Sequence, residues 1–325
     1  MSQLKNKIVT VFGGTGFVGR HLVAALVKEG AIVRVPSRLK NAGYALRTGA
    51  AVGQVVPMQV DFKDKKSIEN CVEGADFAVN LIGVLYETPR QFFERVHIDV
   101  ARDIAKAAKK AGIKHFVHMS SLGADDESGS RYLRSKSLGE QAVLKAFPTT
   151  MVLRPSIIFG EGDGFFCRFA KLARFLPVLP LIGGGKTKFQ PVFVCDVIDA
   201  IMISLTEEEM NIKDMEGIIV ECGGPQVYTF KELLEYTLDQ IHLKRALISL
   251  PFWFAKFKAW FWEKLPGRLL TRDQVNALKY DSVVTGKHTT IEDMGIVPTP
   301  LEVIVPEYLE SYRQGGQFAR YHKLG

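Results

Sequence analysis

The sequence predicts an α/β fold, a doubly wound parallel sheet with a smaller C-terminal α/β portion. Three observations indicate it. An apolar run from Ile8 to Phe12 leads into a glycine-rich turn, short apolar runs then alternate with segments of helical periodicity, and the composition changes beyond Phe165. Strands that alternate with helices at this spacing pair in parallel and are covered by helices on both faces. A chain of 325 residues with 47% apolar side chains is long enough to bury a substantial core.

The first element is a strand, a turn and a helix. The strand is predicted from Ile8 to Phe12, and apolar residues recur at helical spacing from Gly16 to Lys28. Three glycines at GxxGxxG spacing permit a tight turn, a close approach of a pyrophosphate to the backbone, and close packing of the helix, whose N-terminus attracts phosphates. A purely structural turn is the alternative. The residues predicted to contact a dinucleotide here are Gly13, Thr15, Gly16, Phe17, Val18 and Gly19.

The end of the second strand indicates which dinucleotide. The strand is predicted at 31–35 and ends in Pro36-Ser37-Arg38. An NAD site usually places Asp or Glu roughly 20 residues beyond the glycines, on the ribose 2′-OH, and no carboxylate is present here. Ser37 and Arg38 instead offer donors to a 2′-phosphate, since guanidinium groups bind phosphate in a forked geometry. The sequence therefore predicts NADP(H) in preference to NAD(H), unless Arg38 simply points into water.

Two further strand ends are predicted to line the nucleotide cleft. Strands at 55–60 and 77–82 alternate with helices at 67–72 and 92–111. The carboxyl ends of parallel strands line the ligand crevice. This places Asp61 and Phe62 by the adenine and Gly83 under the ribose, although Asp61 also suits an ordinary helix cap. Leu81 and Ile82 are predicted to contact the nucleotide as well.

Candidate catalytic residues follow a fifth strand, predicted at 115–120. Tyr132 and Lys136 share one helix face, where an ammonium lowers the pKa of a phenol and holds the nicotinamide ribose. Ser120 and Ser121 close the strand. Ser120 is predicted to contact the cofactor, and Ser121 completes a layout for proton transfer beside a hydride acceptor. A YxxxK pair alone is common on protein surfaces. Its position after the glycine turn and the serines favours the catalytic interpretation.

The second half of the chain is predicted to leave the first domain and return to it. A Rossmann-type domain covers 1–164, with Pro155 and Ile158 at the cofactor mouth after a strand at 151–153. An excursion at 165–190 carries loops at 176–180 and 183–185. Residues 191–222 return through a strand at 191–197, with Asp196 as a helix N-cap. The smaller portion is 223–325. Helices are predicted to begin there at two capping boxes, Thr229 with Glu232 and Thr271 with Gln274.

An aromatic stretch at 251–265 is the most distinctive part of the smaller portion. On a helical wheel one face carries Trp253, Phe254, Phe257, Trp260, Phe261 and Leu265, flanked by Lys256, Lys258 and Lys264. Aromatic side chains with lysines at their edges suit a helix in a membrane interface or against a hydrophobic partner. The alternative is a core helix that closes over a substrate pocket.

Composition limits the class of partner and compartment. The net charge is +7, but the basic residues are dispersed, so an acidic membrane surface is a better candidate than nucleic acid. Four cysteines without CxxC spacing indicate reduced thiols, and His115 and His118 face opposite sides of their strand, so no metal site is predicted. No signal peptide or membrane-spanning stretch is visible, and the protein is expected to stay where it is made unless a leader has been removed. A monomer is expected.

These motifs carry a family resemblance over about residues 5–313. Its most specific signals are the segment 130–140 around Tyr132 and Lys136, and the aromatic stretch followed by 270–275. The chain resembles the extended or atypical short-chain dehydrogenase/reductases and, within them, the nucleotide-binding accessory subunits of respiratory complex I and their bacterial relatives. The resemblance implies an accessory subunit or assembly factor with NADPH held as a structural ligand. It also implies contacts of 251–265 with complex I subunits or the membrane, at the cytoplasmic or matrix face.

By position, the resemblance assigns the nicotinamide ribose to Tyr132 and Lys136 and the rest of the cofactor to Gly13, Gly16, Gly19, Arg38, Asp61 and Gly83. One departure is His97, where active members usually carry an Asn that helps fix water and the catalytic lysine. This argues against turnover, though not against binding. The alternative is an active NADP(H)-dependent reductase, epimerase or dehydratase. Its substrate would be hydrophobic, such as an isoprenoid or quinone-like molecule, or a nucleotide sugar, with Tyr132 as acid/base and Ser121 as orienting donor.

Overall fold

The computed structural model describes residues 3–39, 41–89, 91–206, 217–263 and 270–313. The chain divides into two compact units. Unit 1 comprises 1–155, 195–221 and 286–296, and unit 2 comprises 156–194, 222–285 and 297–325. Residues 286–296, which the sequence places in the C-terminal portion, belong to unit 1, because a short strand within them, Thr289–Thr290, pairs with the sheet of that unit.

The strands are β1 (Ile8–Phe12), β2 (Ile32–Ser37), β3 (Val55–Gln59), β4 (Phe77–Asn80), β5 (His115–Met119), β6 (Met151–Pro155), β7 (Ile158–Phe159), β8 (Val178–Ile182), β9 (Lys188–Phe189), β10 (Val192–Phe193), β11 (Ile219–Cys222), β12 (Tyr228–Thr229), β13 (Ala246–Leu250) and β14 (Thr289–Thr290). The helices are α1 (Phe17–Lys28), α2 (Lys65–Val72), α3 (Ala101–Lys110), α4 (Arg131–Ala146), α5 (Phe166–Phe175), α6 (Val194–Thr206), α7 (Phe230–Gln240), α8 (Phe252–Trp262), α9 (Arg272–Ala277) and α10 (Leu301–Leu309). A π-helical segment, Glu94–Val100, runs directly into α3.

Unit 1 is built on one eight-stranded sheet with the order β14-β11-β6-β5-β4-β1-β2-β3. The pairs β1–β2, β2–β3, β1–β4, β4–β5 and β5–β6 are all parallel. Helices α2, α3 and α4 pack on this sheet through a core that includes Phe12, Ile68, Ile104, Phe116 and Val143. The prediction of a doubly wound parallel sheet is confirmed.

Unit 2 combines short two-stranded sheets with helices. β7 pairs with β10 and β8 with β13, both in parallel, while β9 and β12 are antiparallel. Phe166, Leu234 and Val305 belong to one buried cluster that joins α5, α7 and α10. A smaller cluster joins α8 to α9 through Ala255, Ala259 and Val275. The helix starts predicted at Thr229 and Thr271 are confirmed, each with a complete capping box.

Two local predictions are wrong, and one alternative is excluded. The predicted loop at 176–180 lies largely in strand β8, because β8 finds a partner in β13 over five residue pairs far along the chain. The strand predicted at 191–197 stops at Phe193, so Asp196 lies in the first turn of α6 instead of capping it. Asp61 does not cap α2 either, because the side chain of Asp64 accepts the hydrogen bond from Lys66 N. In the part of the chain that the structure describes, no helix combines the length and the apolar character needed to cross a membrane.

Candidate functional site

The sheet order places a crevice between β1 and β4. β1 pairs with β2 on one side and with β4 on the other, so the chain crosses from one half of the sheet to the other at this point. In open α/β sheets, ligands bind beyond the carboxyl ends of the strands at such a switch point. The predicted nucleotide contacts that follow β1 and β4 meet here.

The turn after β1 is made almost entirely of backbone. Gly13 has a φ of +83°, and a Cβ there would lie 3.0 Å from the carbonyl carbon of Leu81 at the end of β4. Gly16 N donates to Gly13 O at 2.9 Å. A Cβ on Gly19 would overlap Gly13 O, so only glycine lets α1 lie this close to the turn.

Helix α1 begins directly after the turn, with Gly16 as its cap residue. No side chain caps it. Thr15 precedes the cap residue, Phe17 and Val18 lie in the first turn, and that turn carries no carboxylate. The first N–H groups of a helix have no partner within the helix, and they carry the positive end of its dipole. A turn of this form accepts a phosphate group.

The ends of β2 and β3 lie beyond one side of the turn. Ser37 closes β2 and its hydroxyl donates to Leu39 O at 2.5 Å. Arg38 is exposed, and one of its terminal nitrogens lies 2.8 Å from the side-chain amide of Gln91, whose oxygen turns toward it. Asp61 accepts from Lys63 N. The carbonyl of Phe62 accepts from Arg95 at 2.8 Å.

The ends of β4 and β5 lie beyond the other side. Ile82 N donates to Asn80 Oδ1 at 3.1 Å, which shapes the chain ahead of Gly83. Ser120 is buried, and its hydroxyl has no hydrogen-bond partner among the described residues. A buried hydroxyl without a partner is rare, because it has lost its water without gaining a replacement. The glycine turn and this hydroxyl both fit a bound dinucleotide.

Tyr132, Lys136 and Ser121 come together as the sequence predicts, but their electrostatics differ from the prediction. Lys136 Nζ donates to Met119 O at 3.0 Å, and burial lowers its pKa to about 8, against the opposing charge of Glu140. Tyr132 is hydrogen-bonded to Ser121, yet burial raises the pKa of the phenol. Loss of solvent therefore outweighs the lowering by the Ser121 hydrogen bond, and the lowering that the sequence predicts from Lys136 does not set this pKa.

Sequence reasoning missed a buried ion pair behind Lys136. Arg154 on β6 holds Glu140 with two nitrogens, at 3.0 Å to Oε1 and 2.5 Å to Oε2, and its third nitrogen lies 3.4 Å from His288. Glu140 stands four residues after Lys136 on α4. This spacing is the one sequence signal that could have pointed to Glu140. The carboxylate of Glu140, whose charge is balanced by Arg154, therefore lies one helix turn from the ammonium of Lys136.

A buried histidine also escaped the sequence analysis. His118 Nδ1 lies 3.1 Å from Asn80 Nδ2. Because an amide nitrogen can only donate, Nδ1 accepts and the imidazole proton lies on Nε2. Burial, together with the charge of Lys136, lowers the pKa of His118 to about 3. This residue is neutral in the folded protein at physiological pH.

The remaining predicted contacts are distributed over both units. Pro155 closes β6, and its carbonyl accepts from Leu122 N at 2.9 Å. Ile158 begins β7 and belongs to unit 2. Across the described ranges, no group of three His, Cys, Asp or Glu side chains could hold a metal ion.

Helix α8 has its large side chains outside. Trp253, Phe257 and Trp260 are exposed to 72%, 66% and 45%, while Ala255 and Ala259 are buried. We call these three residues the aromatic face of α8. Lys258 Nζ lies over the ring of Phe254 at 5.1 Å. The predicted face member Leu265 and the flanking Lys264 lie outside the described residues, as does the side chain of Phe261.

Comparisons with known proteins agree with this architecture. The sequence model of the NAD dependent epimerase/dehydratase family matches residues 9–216. The chain is 37% identical to "NADH dehydrogenase [ubiquinone] 1 alpha subcomplex subunit 9, mitochondrial" of Arabidopsis thaliana, over 97% of this chain and 80% of that protein. It is 35% identical to the ceramide reductase of Caulobacter vibrioides, over 75% of this chain and 74% of that protein. The resemblance inferred from the motifs is confirmed.

Solved structures share the fold at low sequence identity. The crystal structure of dTDP-glucose 4,6-dehydratase from Streptomyces venezuelae matches 96% of this chain and 99% of its own, with a TM-score of 0.69 and 19% identity.

The depressed pKa of His118 predicts an acid-dependent loss of stability. The folded state keeps His118 neutral down to about pH 3, whereas the unfolded state binds a proton below about pH 6.5. Acidification from about pH 6.5 to 4.5 should therefore remove about 1.4 kcal/mol of unfolding free energy per pH unit through this residue. Urea unfolding at a series of pH values measures the slope. The variant His118→Asn keeps an acceptor for Asn80. Its unfolding free energy should fall less steeply with acidification, by about 1.4 kcal/mol per pH unit.

His242→Asn, a change at an exposed histidine, is the matched control and should keep the wild-type slope. A folded-state His118 resonance that titrates near the ordinary histidine value would contradict the assignment.

Proposed function

Because the chain belongs to the NAD dependent epimerase/dehydratase family, we propose that it holds NADP(H) at the carboxyl ends of β1 and β4. We further propose that it works as an accessory subunit of respiratory complex I. In this role the nucleotide is mainly a structural ligand, which ties together the strand ends that surround it.

The turn between β1 and α1 is the observation that carries nucleotide binding. Its glycines leave only backbone between the end of β1 and the end of β4, and the uncapped start of α1 points its N–H groups at the same place. Ser120 brings a buried hydroxyl without a partner among the described residues. A pyrophosphate on the turn and a ribose near Ser120 would use these donors.

The preference for NADP(H) over NAD(H) rests on the end of β2. No carboxylate follows this strand for a ribose 2′-OH, and Arg38 stands there with an exposed guanidinium. The side-chain amide of Gln91 contacts this guanidinium. Arg38 would therefore hold a 2′-phosphate through forked hydrogen bonds and charge.

Two observations support the assignment to complex I. The similarity to the Arabidopsis complex I subunit extends over both units, whereas the ceramide reductase matches a smaller share of the chain. The aromatic face of α8 exposes two tryptophans and a phenylalanine in one stripe, and exposed apolar patches of this kind mark interaction sites. We assign this face to a hydrophobic surface of complex I.

A reductase is the second candidate, and the geometry of Tyr132 favours it. The phenol is hydrogen-bonded to Ser121, and the ammonium of Lys136 lies one helix turn away with a pKa near 8. When bound, NADP(H) supplies a hydride at its nicotinamide ring. Tyr132 would then donate a proton to the reduced oxygen, while Lys136 stabilises the phenolate and Ser121 orients the substrate.

Nucleotide selectivity tests the proposed ligand. Arg38→Ala should weaken NADPH binding by about 10-fold to 100-fold, because a charge-assisted forked contact is lost, and should leave NADH binding within about threefold. Isothermal titration of the nucleotide-free protein measures both. The exposed Arg174→Ala is the control and should match the wild type. NADPH and NADH affected equally by Arg38→Ala would remove Arg38 from 2′-phosphate recognition.

A single conservative change separates the two candidate functions. If the chain is a reductase, Tyr132→Phe should lower the rate of NADPH oxidation by about 100-fold or more. The NADPH content of the purified protein should change by less than about twofold, since only one hydroxyl is removed. Absorbance at the NADPH band follows both quantities. Tyr44→Phe, at an exposed tyrosine, is the control, and equal rates for both variants would exclude Tyr132 as the acid.

Association with complex I tests the aromatic face. Replacing Trp253, Phe257 and Trp260 by Ala should reduce co-migration with complex I on native gels by about tenfold or more, because exposed aromatic anchors dominate interfaces. Thermal stability should hardly change, since surface side chains contribute little to folding. Val52→Ala removes another exposed apolar side chain and is the control. Unchanged co-migration would refute the assignment, and binding to anionic vesicles lost in the same variant would reassign the face to lipid.

A further inference from the structure

His97 is buried in the π-helical segment and belongs to neither the predicted nucleotide contacts nor the acid/base set. Both of its ring nitrogens are hydrogen-bonded within unit 1. Nε2 lies 3.0 Å from Val84 N, one residue after Gly83. Nδ1 lies 2.8 Å from Ser135 Oγ on α4. The imidazole therefore bridges the segment that follows β4 and the helix that carries Tyr132 and Lys136.

The partners determine where the ring carries its proton. The backbone N–H of Val84 can only donate, so Nε2 accepts and is unprotonated. A neutral ring then carries its proton on Nδ1, which donates to Ser135 Oγ. The Ser135 hydroxyl in turn donates to the carbonyl of Tyr132 at 2.7 Å. Three successive donors point the same way, from Val84 to Tyr132.

Packing holds the ring in this orientation. Phe93 stacks on His97 with ring centroids 5.4 Å apart, and Tyr132 meets it edge-on at 5.6 Å. A Cβ on Gly139 would overlap the carbonyl oxygen of His97, so the π-helical segment and α4 touch through backbone. A Cβ on Gly83 would lie 3.4 Å from Lys136 Nζ and 3.8 Å from His97 Nε2. Gly83, His97, Lys136 and Gly139 therefore lie in one closely packed cluster.

We propose that His97 is a positioning residue, a neutral imidazole with its proton on Nδ1 that sets the place of Tyr132 and Lys136 relative to Gly83 and Val84. The inference rests on the proposed function, since these residues are to hold the nicotinamide half of the nucleotide. His97 thereby makes retention of the nucleotide depend on two hydrogen bonds that do not touch the ligand.

The groups around His97 keep its two hydrogen bonds independent of pH in the physiological range. The titratable groups that face the ring are Lys136, His118 and Tyr132, and the first two oppose a positive charge on it. Burial is the larger effect, and together they lower the pKa of His97 to about 2. Protonation of Nε2 would break the bond from Val84, but no physiological pH reaches it.

Two variants separate the two ring nitrogens. The amide oxygen of Gln takes the place of Nε2 as an acceptor for Val84, whereas Asn is too short to reach Val84 and offers its amide group at the place of Nδ1. His97→Gln should lose bound NADPH within about threefold of the wild-type rate. His97→Asn should lose it about tenfold faster, because the buried N–H of Val84 is left without a partner. The rate of NADPH loss from the full chain is followed by the fluorescence of the bound nucleotide.

His242→Asn is the matched control, because it changes an exposed histidine whose positive φ of 56° Asn accepts. Equal rates for His97→Gln, His97→Asn and the wild type would overturn the proposal. So would faster loss from Gln than from Asn.

A spectroscopic measurement on the wild type keeps the test decisive if a variant fails to fold. The imidazole ¹⁵N spectrum should show His97 Nε2 unprotonated and Nδ1 protonated, unchanged from about pH 8 to about pH 5, where ordinary histidines titrate. A proton on Nε2, or a titration in this range, overturns the inference. Wild-type protein that binds no nucleotide overturns the proposed function instead, and the same spectrum still reports the ring's proton.

Discussion

The structure of unit 1 depends on one close contact between three backbone segments. The turn at Gly13 lies against the peptide of Leu81 and Ile82, and α1 approaches the same turn at Gly19. A side chain at either glycine would push β1, β4 and α1 apart. Because β1 and β4 are the strands at which the sheet reverses, that separation would also open the crevice. The contact that holds β1, β4 and α1 together therefore also keeps side chains out of the crevice in which we propose that a phosphate binds.

Around this contact, unit 1 has buried polar and charged side chains where apolar packing is usual. Glu140 and Arg154 form a buried ion pair, and two buried histidines, His97 and His118, stay neutral beside the buried ammonium of Lys136. Buried polar groups stabilise a single arrangement only when every one of them is satisfied. Ser120 is the member without a partner among the described residues. Under the proposed function, a bound nucleotide would supply a partner for this hydroxyl and so stabilise the folded protein.

Sequence reasoning succeeded where structure is local and failed where it depends on distant partners. β1 was predicted residue for residue, and the capping boxes at Thr229 and Thr271 are present, because periodicity and caps involve neighbours along the chain. β8 was missed because its pairing with β13 joins residues about seventy positions apart. The direction of the Tyr132 pKa was missed for the same reason, since helix spacing shows the nearby ammonium but not the burial of the phenol. Gln91 beside Arg38 and Val84 beside His97 lie in loops whose path no pattern reveals.

Helix α8 is turned inside out compared with an ordinary surface helix, with alanines against its neighbours and aromatic rings toward water. If the partner proposed above covers these rings, a copy made in excess of that partner keeps them exposed to solvent. Quality-control chaperones and proteases act on such surfaces continuously. The abundance of the chain in the cell should then follow the supply of whatever surface covers α8.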